Sequence, residues 1–192
     1  KYLLNKKTLI SVNKGMLNSQ TCIETIIEFK PDIIVINATS IIKGELYKLY
    51  GKKIINFHAG LCQFYRGSGC NVWAIYNNNL DKIGATIHFI DKDTDTGNII
   101  SQDRPNINKT DNSHTIGVKV SKLASKLVIR ILDFYIVNNY IPSSKQKSTK
   151  VIICKNSDFN EKIVLKVNLL LKNGIIKKYL ALSKKIKLIN NI

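Results

Sequence analysis

Three polar side chains of different chemistry stand out in the first half of the chain. Asn56 and His58 are separated by one residue, and Asp95 opens the triplet Asp95-Thr96-Gly97. An amide can donate to a developing oxyanion, an imidazole can carry a proton, and a carboxylate can orient the imidazole. Any one of these residues alone is more often an ordinary hydrogen-bonding group. Together they predict acid–base chemistry if the fold brings them to one place.

The hydrophobic pattern predicts the elements that would position them. Residues 33–36 form a β-branched run typical of a strand buried on both faces of a parallel sheet. Further strands are predicted at 54–57, 84–90, 99–104 and 151–153. Helices are predicted at 20–30, 43–50, 71–77, 114–137, 158–172 and 175–186, from apolar spacings of three and four and from capping residues such as Asn18 or Ser19 and Asp158. This order indicates an α/β fold: a Rossmann-like, mostly parallel sheet with helices on both faces.

The predicted sheet places the polar residues where such folds hold ligands. Open α/β sheets bind ligands at the carboxyl ends of their strands. Asn56 and His58 end one predicted strand, and because strand side chains alternate, both point to the same side. Asp95 follows the end of another strand, in a loop that also carries Asp91, Asp93 and Thr94.

The stretch that contains these residues resembles the formyltransferase family. The shared features occur in order: Asn-x-His at a strand end, Tyr65-Arg66-Gly67, Trp73-Ala74, the segment 84–88 ending in His88, and Asp95-Thr96-Gly97 followed by two isoleucines. The upstream segment 30–35 is similar to the strand that leads into the family's folate loop. The resemblance covers about residues 30 to 135, and the tail more loosely.

The resemblance implies a mechanism and a cofactor. It implies that 10-formyltetrahydrofolate gives its formyl group to a primary amine, with Asn56, His58 and Asp95 as catalytic residues. Asn56 would donate to the oxyanion, a charged His58 would also stabilise it, and Asp95 would raise the pKa of His58. The matching cofactor-binding positions are Thr39, Ser40, Ile41, Ile42, Ile90, Asp91, Asp93 and Thr94. Ile41 and Ile42 fit a wall for the folate ring as well as they fit core packing. His88 is expected to support the site.

The resemblance leaves the amine acceptor open. Ala59-Gly60 after His58 looks more like the formyltransferases of amino-sugar pathways than the purine and tRNA enzymes, and a nucleotide-linked amino sugar or similar small amine is therefore expected. Arg66 and Gly67 are candidate acceptor-binding residues, although Arg66 suits loop fixation equally. The alternatives are glycinamide ribonucleotide as acceptor, or a catalytically inactive basic fragment that binds RNA.

We expect two regions along the chain. Residues 1–141 would form the catalytic domain, incomplete at its N-terminus because family members carry further strands there. Residues 142–192 would form a polar linker, from Pro142 to Thr149, and a short helical tail. The short tail argues against the β-barrel domain with which tRNA-specific members bind tRNA.

Composition narrows the remaining possibilities. The formal net charge is +17, but Arg occurs only at 66, 104 and 130, whereas specific phosphate readers rely on the Arg fork. Lys, Ile and Asn are all encoded by A/T-rich codons, so genome composition alone can produce the excess of Lys. We therefore expect no nucleic-acid partner. No apolar run reaches 18 residues, so no membrane span is predicted. The four cysteines show no metal-ligand spacing, so we expect free thiols, no metal and a cytoplasmic location. A homodimer remains open.

Overall fold

Strands and helices alternate through the computed structural model, which describes residues 10–147, 150–182 and 186–192. The helices are α1 Gln20–Phe29, α2 Gly44–Tyr50, α3 Cys70–Tyr76, α4 Ser113–Asn138, α5 Glu161–Lys172 and α6 Ile175–Leu182. The strands are β1 Ile34–Ile36, β2 Ile54–His58, β3 Tyr65–Gly67, β4 Ala85–Phe89, β5 Ile99–Asp103 and β6 Ile152–Cys154. The predicted elements are confirmed to within a few residues. Residues 183–185 of the last predicted helix lie outside the described part.

The main sheet has the order β1-β2-β4-β5. β1 pairs with β2 in parallel, whereas β2 with β4 and β4 with β5 are antiparallel. The expected α/β class is confirmed, but among the described strands of this main sheet the parallel pairing is confined to β1 and β2. The nine-residue connection from β4 to β5 is too short for a parallel crossover, which takes a dozen residues or more.

Helices cover both faces of this sheet, as predicted. Ile54 and Ile55 are fully buried neighbours on β2 whose side chains point to opposite faces. Ile54 packs in a cluster with Ile23 of α1 and Leu46 of α2. Ile55 belongs to the larger cluster, which α3 and α4 build with residues such as Ala74, Ile116 and Val120. Each fully buried isoleucine contributes about 1.5–3 kcal/mol, so β2 is fixed between two layers.

The prediction that residues 33–36 are buried on both faces is wrong. Val35, in the middle of β1, is 42% exposed, and the residues on either side are only half-buried. β1 is the outer strand of the sheet in the part of the chain that the structure describes, with β2 as its pairing partner. A β-branched run indicates a strand, but the position of the strand in the sheet decides its burial.

The segment after α4 packs against the sheet rather than leading away from it. Ser144, within the predicted polar linker, exchanges two 2.8 Å backbone hydrogen bonds with Ile99. β6 pairs with β3 in parallel, and Asn190 bridges to Ser101 on β5. The division of the chain at residue 141 stays a prediction, and Ser148 and Thr149 of the predicted linker lie outside the described residues. The start of α5 differs from expectation: Asn160, not Asp158, caps it, because the Asn160 side chain accepts from the Lys162 and Ile163 amides.

No helix within the described residues has the length and apolar character that crossing a membrane requires.

Candidate active site

Strand pairing places three of the site's side chains in one group. Asn56 and His58 lie two residues apart on β2, and His88 on β4 lies directly opposite Asn56 in the register. Asp95 comes from the loop between β4 and β5 and reaches the same group. His58 is 5% exposed and Asp95 8% exposed, so these polar groups meet in a largely buried environment.

The Asp95 carboxylate is the centre of the group. Its Oδ1 accepts from Asn56 Nδ2 at 3.1 Å and lies 3.4 Å from His88 Nε2. Its Oδ2 accepts from the Gly67 amide at 2.8 Å and lies 3.2 Å from His58 Nδ1. Burial by itself would raise the pKa of Asp95, but the adjacent His88 and His58 rings and the Gly67 N–H together hold that pKa below its ordinary value. Asp95 is therefore an ionised carboxylate.

His58 has an acceptor at each ring nitrogen. Nδ1 faces Asp95, and Nε2 lies 3.1 Å from the backbone oxygen of Tyr65. Burial lowers the pKa of His58, and the attraction of Asp95 opposes this without reversing it; His88 and Arg66 lower the pKa further. Asp95 thus shifts the pKa of His58 in the expected direction, but desolvation of the imidazolium outweighs the carboxylate. The role of a charged His58 in the reaction stays a prediction. If His58 gains a proton, the new ring N–H nevertheless has a hydrogen-bond acceptor already in place.

His88 fixes the orientation of Asn56. His88 Nδ1 lies 2.7 Å from the Phe89 oxygen and donates to it, so in the neutral ring Nε2 is an acceptor. Asn56 Nδ2 lies 3.2 Å from this Nε2 and 3.1 Å from Asp95 Oδ1. Both amide hydrogens of Asn56 thus point into the group. A role for Asn56 as donor to a substrate oxygen, which stays a prediction, requires that it give up one of these two partners.

A cavity of about 750 Å³ opens beside the group and is lined by Asn56, His58, His88 and Asp95. The two predicted cofactor segments form part of its wall: Thr39, Ser40, Ile41 and Ile42 after β1, and Ile90, Asp91, Asp93 and Thr94 after β4. The two isoleucines differ in burial. Ile42 is 8% exposed and packs with the core, whereas Ile41 is 66% exposed. Of the two, Ile41 is thus the one with apolar surface free to contact a bound ring.

The two predicted acceptor-binding residues occupy different places. Gly67 lines the cavity, and a Cβ there would collide with the Cys154 backbone oxygen while its φ is +93°. This position therefore requires glycine. Arg66 donates through Nε to the Cys62 oxygen at 3.1 Å and through Nη2 to Gln146 at 2.9 Å. These contacts favour the loop-fixing interpretation of Arg66.

Sequence reasoning missed several contributors. The Tyr65 carbonyl contacts His58, residues 153–156 of the tail line the cavity, and Gln146 holds the backbone of the Asp95 loop. The short strand β3 is not among the predicted strands. None of these carries a periodic signal, and Gln146 lies 51 residues from Asp95 in the chain. Among the described residues there is no group of His, Cys, Asp and Glu that could hold a metal ion, and the four cysteines are free thiols.

The fold and the site together define an α/β protein with a buried carboxylate–imidazole–amide group at a ligand-sized cavity. A model of the family described as formyl transferase matches residues 4–132. The chain belongs to the formyltransferase family, as its motifs predicted.

Individual relatives agree with this assignment. The chain is 37% identical over 110 residues to a methionyl-tRNA formyltransferase of Desulforamulus reducens, which covers 57% of this chain and 34% of the relative. It is 33% identical over 108 residues to a GDP-perosamine N-formyltransferase of Brucella melitensis, and this alignment covers 56% of this chain and 41% of the relative. Among solved structures, WlaRD, a sugar 3N-formyl transferase in the presence of dTDP and 5-N-formyl-THF, superposes with a TM-score of 0.58 at 26% identity, over 67% of this chain and 46% of that one. The aligned region thus spans about a third to two fifths of these curated relatives.

Proposed function

We propose that this chain transfers the formyl group of 10-formyltetrahydrofolate to the primary amine of a nucleotide-linked amino sugar. The observation that carries the proposal is the Asp95 carboxylate, which contacts Asn56 and His58 directly at the wall of the cavity. Family membership supports formyl transfer as the chemistry.

The cofactor would lie along the two loops that wall the cavity. The loop after β1 offers polar side chains and the exposed Ile41, and the loop after β4 offers backbone groups and carboxylates. Carboxylates and backbone oxygens can accept from the N–H groups of a flat, partly polar ring, and the solved structure of WlaRD in the presence of 5-N-formyl-THF supports a folate as the cofactor. When bound, the folate supplies an electrophilic formyl carbon.

His58 carries the proton that the attacking amine must lose. Because its pKa is lowered, His58 is neutral at pH 7 and can act as a base. The proton gained by the ring gives it a second N–H, so that Nδ1 donates to Asp95 and Nε2 donates to Tyr65. The same proton is then available to the departing nitrogen. Asn56 and the charged ring stabilise the negative charge that develops on the formyl oxygen.

The acceptor assignment rests on the relatives and on the charge at the cavity. The GDP-perosamine and WlaRD relatives are named as sugar formyltransferases. Lys155, contributed by the segment after β6, and Lys92 both line the cavity and can meet phosphate. The methionyl-tRNA relative has the higher identity of the two curated ones, which makes an aminoacyl-tRNA amine the second candidate.

The proposal is tested by incubating the purified chain with 10-formyltetrahydrofolate and a panel of amines. The panel contains dTDP- and GDP-linked amino sugars, glycinamide ribonucleotide and methionyl-tRNA, and mass spectrometry detects the formylated product. We expect formylation of an amino-sugar nucleotide. Formylation of methionyl-tRNA or glycinamide ribonucleotide alone would replace the acceptor assignment. No transfer to any amine, and no thermal shift of the folded chain with a folate analogue, would refute the activity.

A further inference from the structure

Asp95 adopts a left-handed backbone conformation that is uncommon for any residue other than glycine. Its φ is +55°, in the left-handed region that side chains with a Cβ rarely occupy. Two residues on, Gly97 lies so close to the Phe89 backbone oxygen that any side chain there would collide with it. A carboxylate placed by such a turn keeps its position only if surrounding contacts hold the turn in place.

Gln146 supplies these contacts with its side-chain amide. Its Nε2 donates to the Asp95 backbone oxygen at 2.8 Å and to the Gly97 backbone oxygen at 2.7 Å. Its Oε1 accepts from Arg66 Nη2 at 2.9 Å. The orientation of the amide is determined by its partners, because carbonyl oxygens only accept and a guanidinium only donates. Both hydrogens and the oxygen of the amide therefore have suitable partners.

The same neighbours hold the Asp95 side chain from the other side. Arg66, which Gln146 contacts, immediately precedes Gly67, whose amide donates to Asp95 Oδ2 at 2.8 Å. Gln146 is itself anchored nearby, because Ser144 pairs with Ile99 at the start of β5. Backbone and carboxylate of Asp95 are thus fixed by one connected set of hydrogen bonds that joins three separate segments of the chain.

We propose that Gln146 is a positioning residue that aligns the Asp95 carboxylate with His58 by holding the Asp95 turn. The proposal rests on the proposed function, since it assigns the alignment a role in that reaction. It also gives the segment that follows α4 a part in the site, which the prediction of a polar linker did not.

Two variants separate the possible roles of Gln146. Gln146→Met keeps the length of the side chain and removes all three hydrogen bonds without adding charge. Gln146→Glu keeps an acceptor for Arg66 but cannot donate to the Asp95 and Gly97 carbonyls. Lys147→Ala, at the exposed neighbouring position, is the matched control for handling the segment.

Two measurements are made on each variant: the pKa of His58 by NMR titration, and kcat and KM for formyl transfer. The charged or titratable groups around His58 are Asp95, His88 and Arg66. Burial raises the pKa of the Cys62 thiol, and the hydrogen bond with Cys154, together with burial, raises the pKa of the Cys70 thiol. We expect the His58 pKa to fall in Gln146→Met, because a displaced carboxylate favours the imidazolium less. We expect kcat to fall about tenfold to a hundredfold in both variants with KM for the amine little changed, and Lys147→Ala to match the wild type.

Three outcomes would count against the proposed role of Gln146. An unchanged His58 pKa and kcat in folded Gln146→Met would overturn the proposal. Normal kcat in Gln146→Glu would show that Arg66, not the Asp95 turn, is what Gln146 serves, and failure of both variants to fold would make Gln146 a residue of general stability. Because the His58 titration needs no turnover, it tests the alignment even if the wild-type chain transfers no formyl group.

Discussion

Asn56 and His88 lie opposite each other on neighbouring antiparallel strands, and Asn56 Nδ2 is 3.2 Å from His88 Nε2. His88 is 1% exposed and takes its own orientation from the Phe89 carbonyl. The strand register therefore determines the direction of the Asn56 amide, which in turn donates to Asp95. The three residues behave as a unit, so changes at each should affect catalysis more than folding.

Asn56→Ala should lower kcat about a hundredfold or more, because loss of one oxyanion donor typically costs about 3 kcal/mol in the barrier. Asn56→Asp is the informative companion. It keeps the shape but places a second carboxylate beside Asp95, 3.1 Å from Oδ1. We expect Asn56→Asp to be no more active than Asn56→Ala. Steady-state kinetics measure both, and near-normal turnover in Asn56→Ala would remove this residue from the mechanism.

Asp95→Asn should lower kcat about a hundredfold or more and lower the pKa of His58 further, because the carboxylate is the main group that favours the imidazolium. The pH–rate inflection assigned to His58 should therefore move to lower pH. Asp133→Asn, which removes an exposed carboxylate on α4, serves as the control and should have the same pH–rate profile as the wild type. An Asp95→Asn enzyme with an unshifted inflection would show that Asp95 does not govern His58.

The pKa of His58 also predicts how stability depends on pH. The folded-state pKa lies below the ordinary value of 6.5, so the unfolded chain binds the proton more readily. The free energy of unfolding should therefore decrease as pH falls from 6.5 toward the folded-state pKa of His58. The pKa of Asp95 is also lowered, from 3.8, so its contribution is present above 3.8 and is lost as pH falls below that value. Urea unfolding at several pH values measures this.

His58→Gln provides the comparison for that experiment, because glutamine does not titrate. Its free energy of unfolding should change less than that of the wild type between pH 6.5 and about 5. Parallel curves for the two proteins across this interval would contradict the assignment of a lowered pKa to His58.

Local pattern was sufficient for part of this site and insufficient for the rest. Alternation along β2 correctly placed Asn56 and His58 on one side, since that relationship needs only their spacing of two residues on a single strand. The prediction that Asp95 approaches Asn56 depended on the family resemblance, because the two residues are 39 apart in the chain. The contacts of Tyr65 and Gln146 could not be predicted, since a backbone carbonyl and a surface-type amide gain their roles only from tertiary packing. The exposure of Val35 likewise depends on which strands flank β1.

Gly60 offers a test of the space around His58. A Cβ at position 60 would lie 2.5 Å from His58 Nε2 and 2.7 Å from the Cys70 Cβ. Gly60→Ala should therefore displace the imidazole or the start of α3, lower the free energy of unfolding by about 1–3 kcal/mol and reduce kcat.

Gly117→Ala is the matched control: the position lies inside α4 with no atom within 4 Å of the added Cβ. That substitution should stabilise the protein by roughly 0.5–1 kcal/mol with kcat unchanged, because alanine favours the helix. Chemical denaturation and steady-state kinetics on both variants separate the two effects. A Gly60→Ala protein that matches Gly117→Ala in both measurements would contradict this prediction, because it would show that His58 can accommodate the added Cβ.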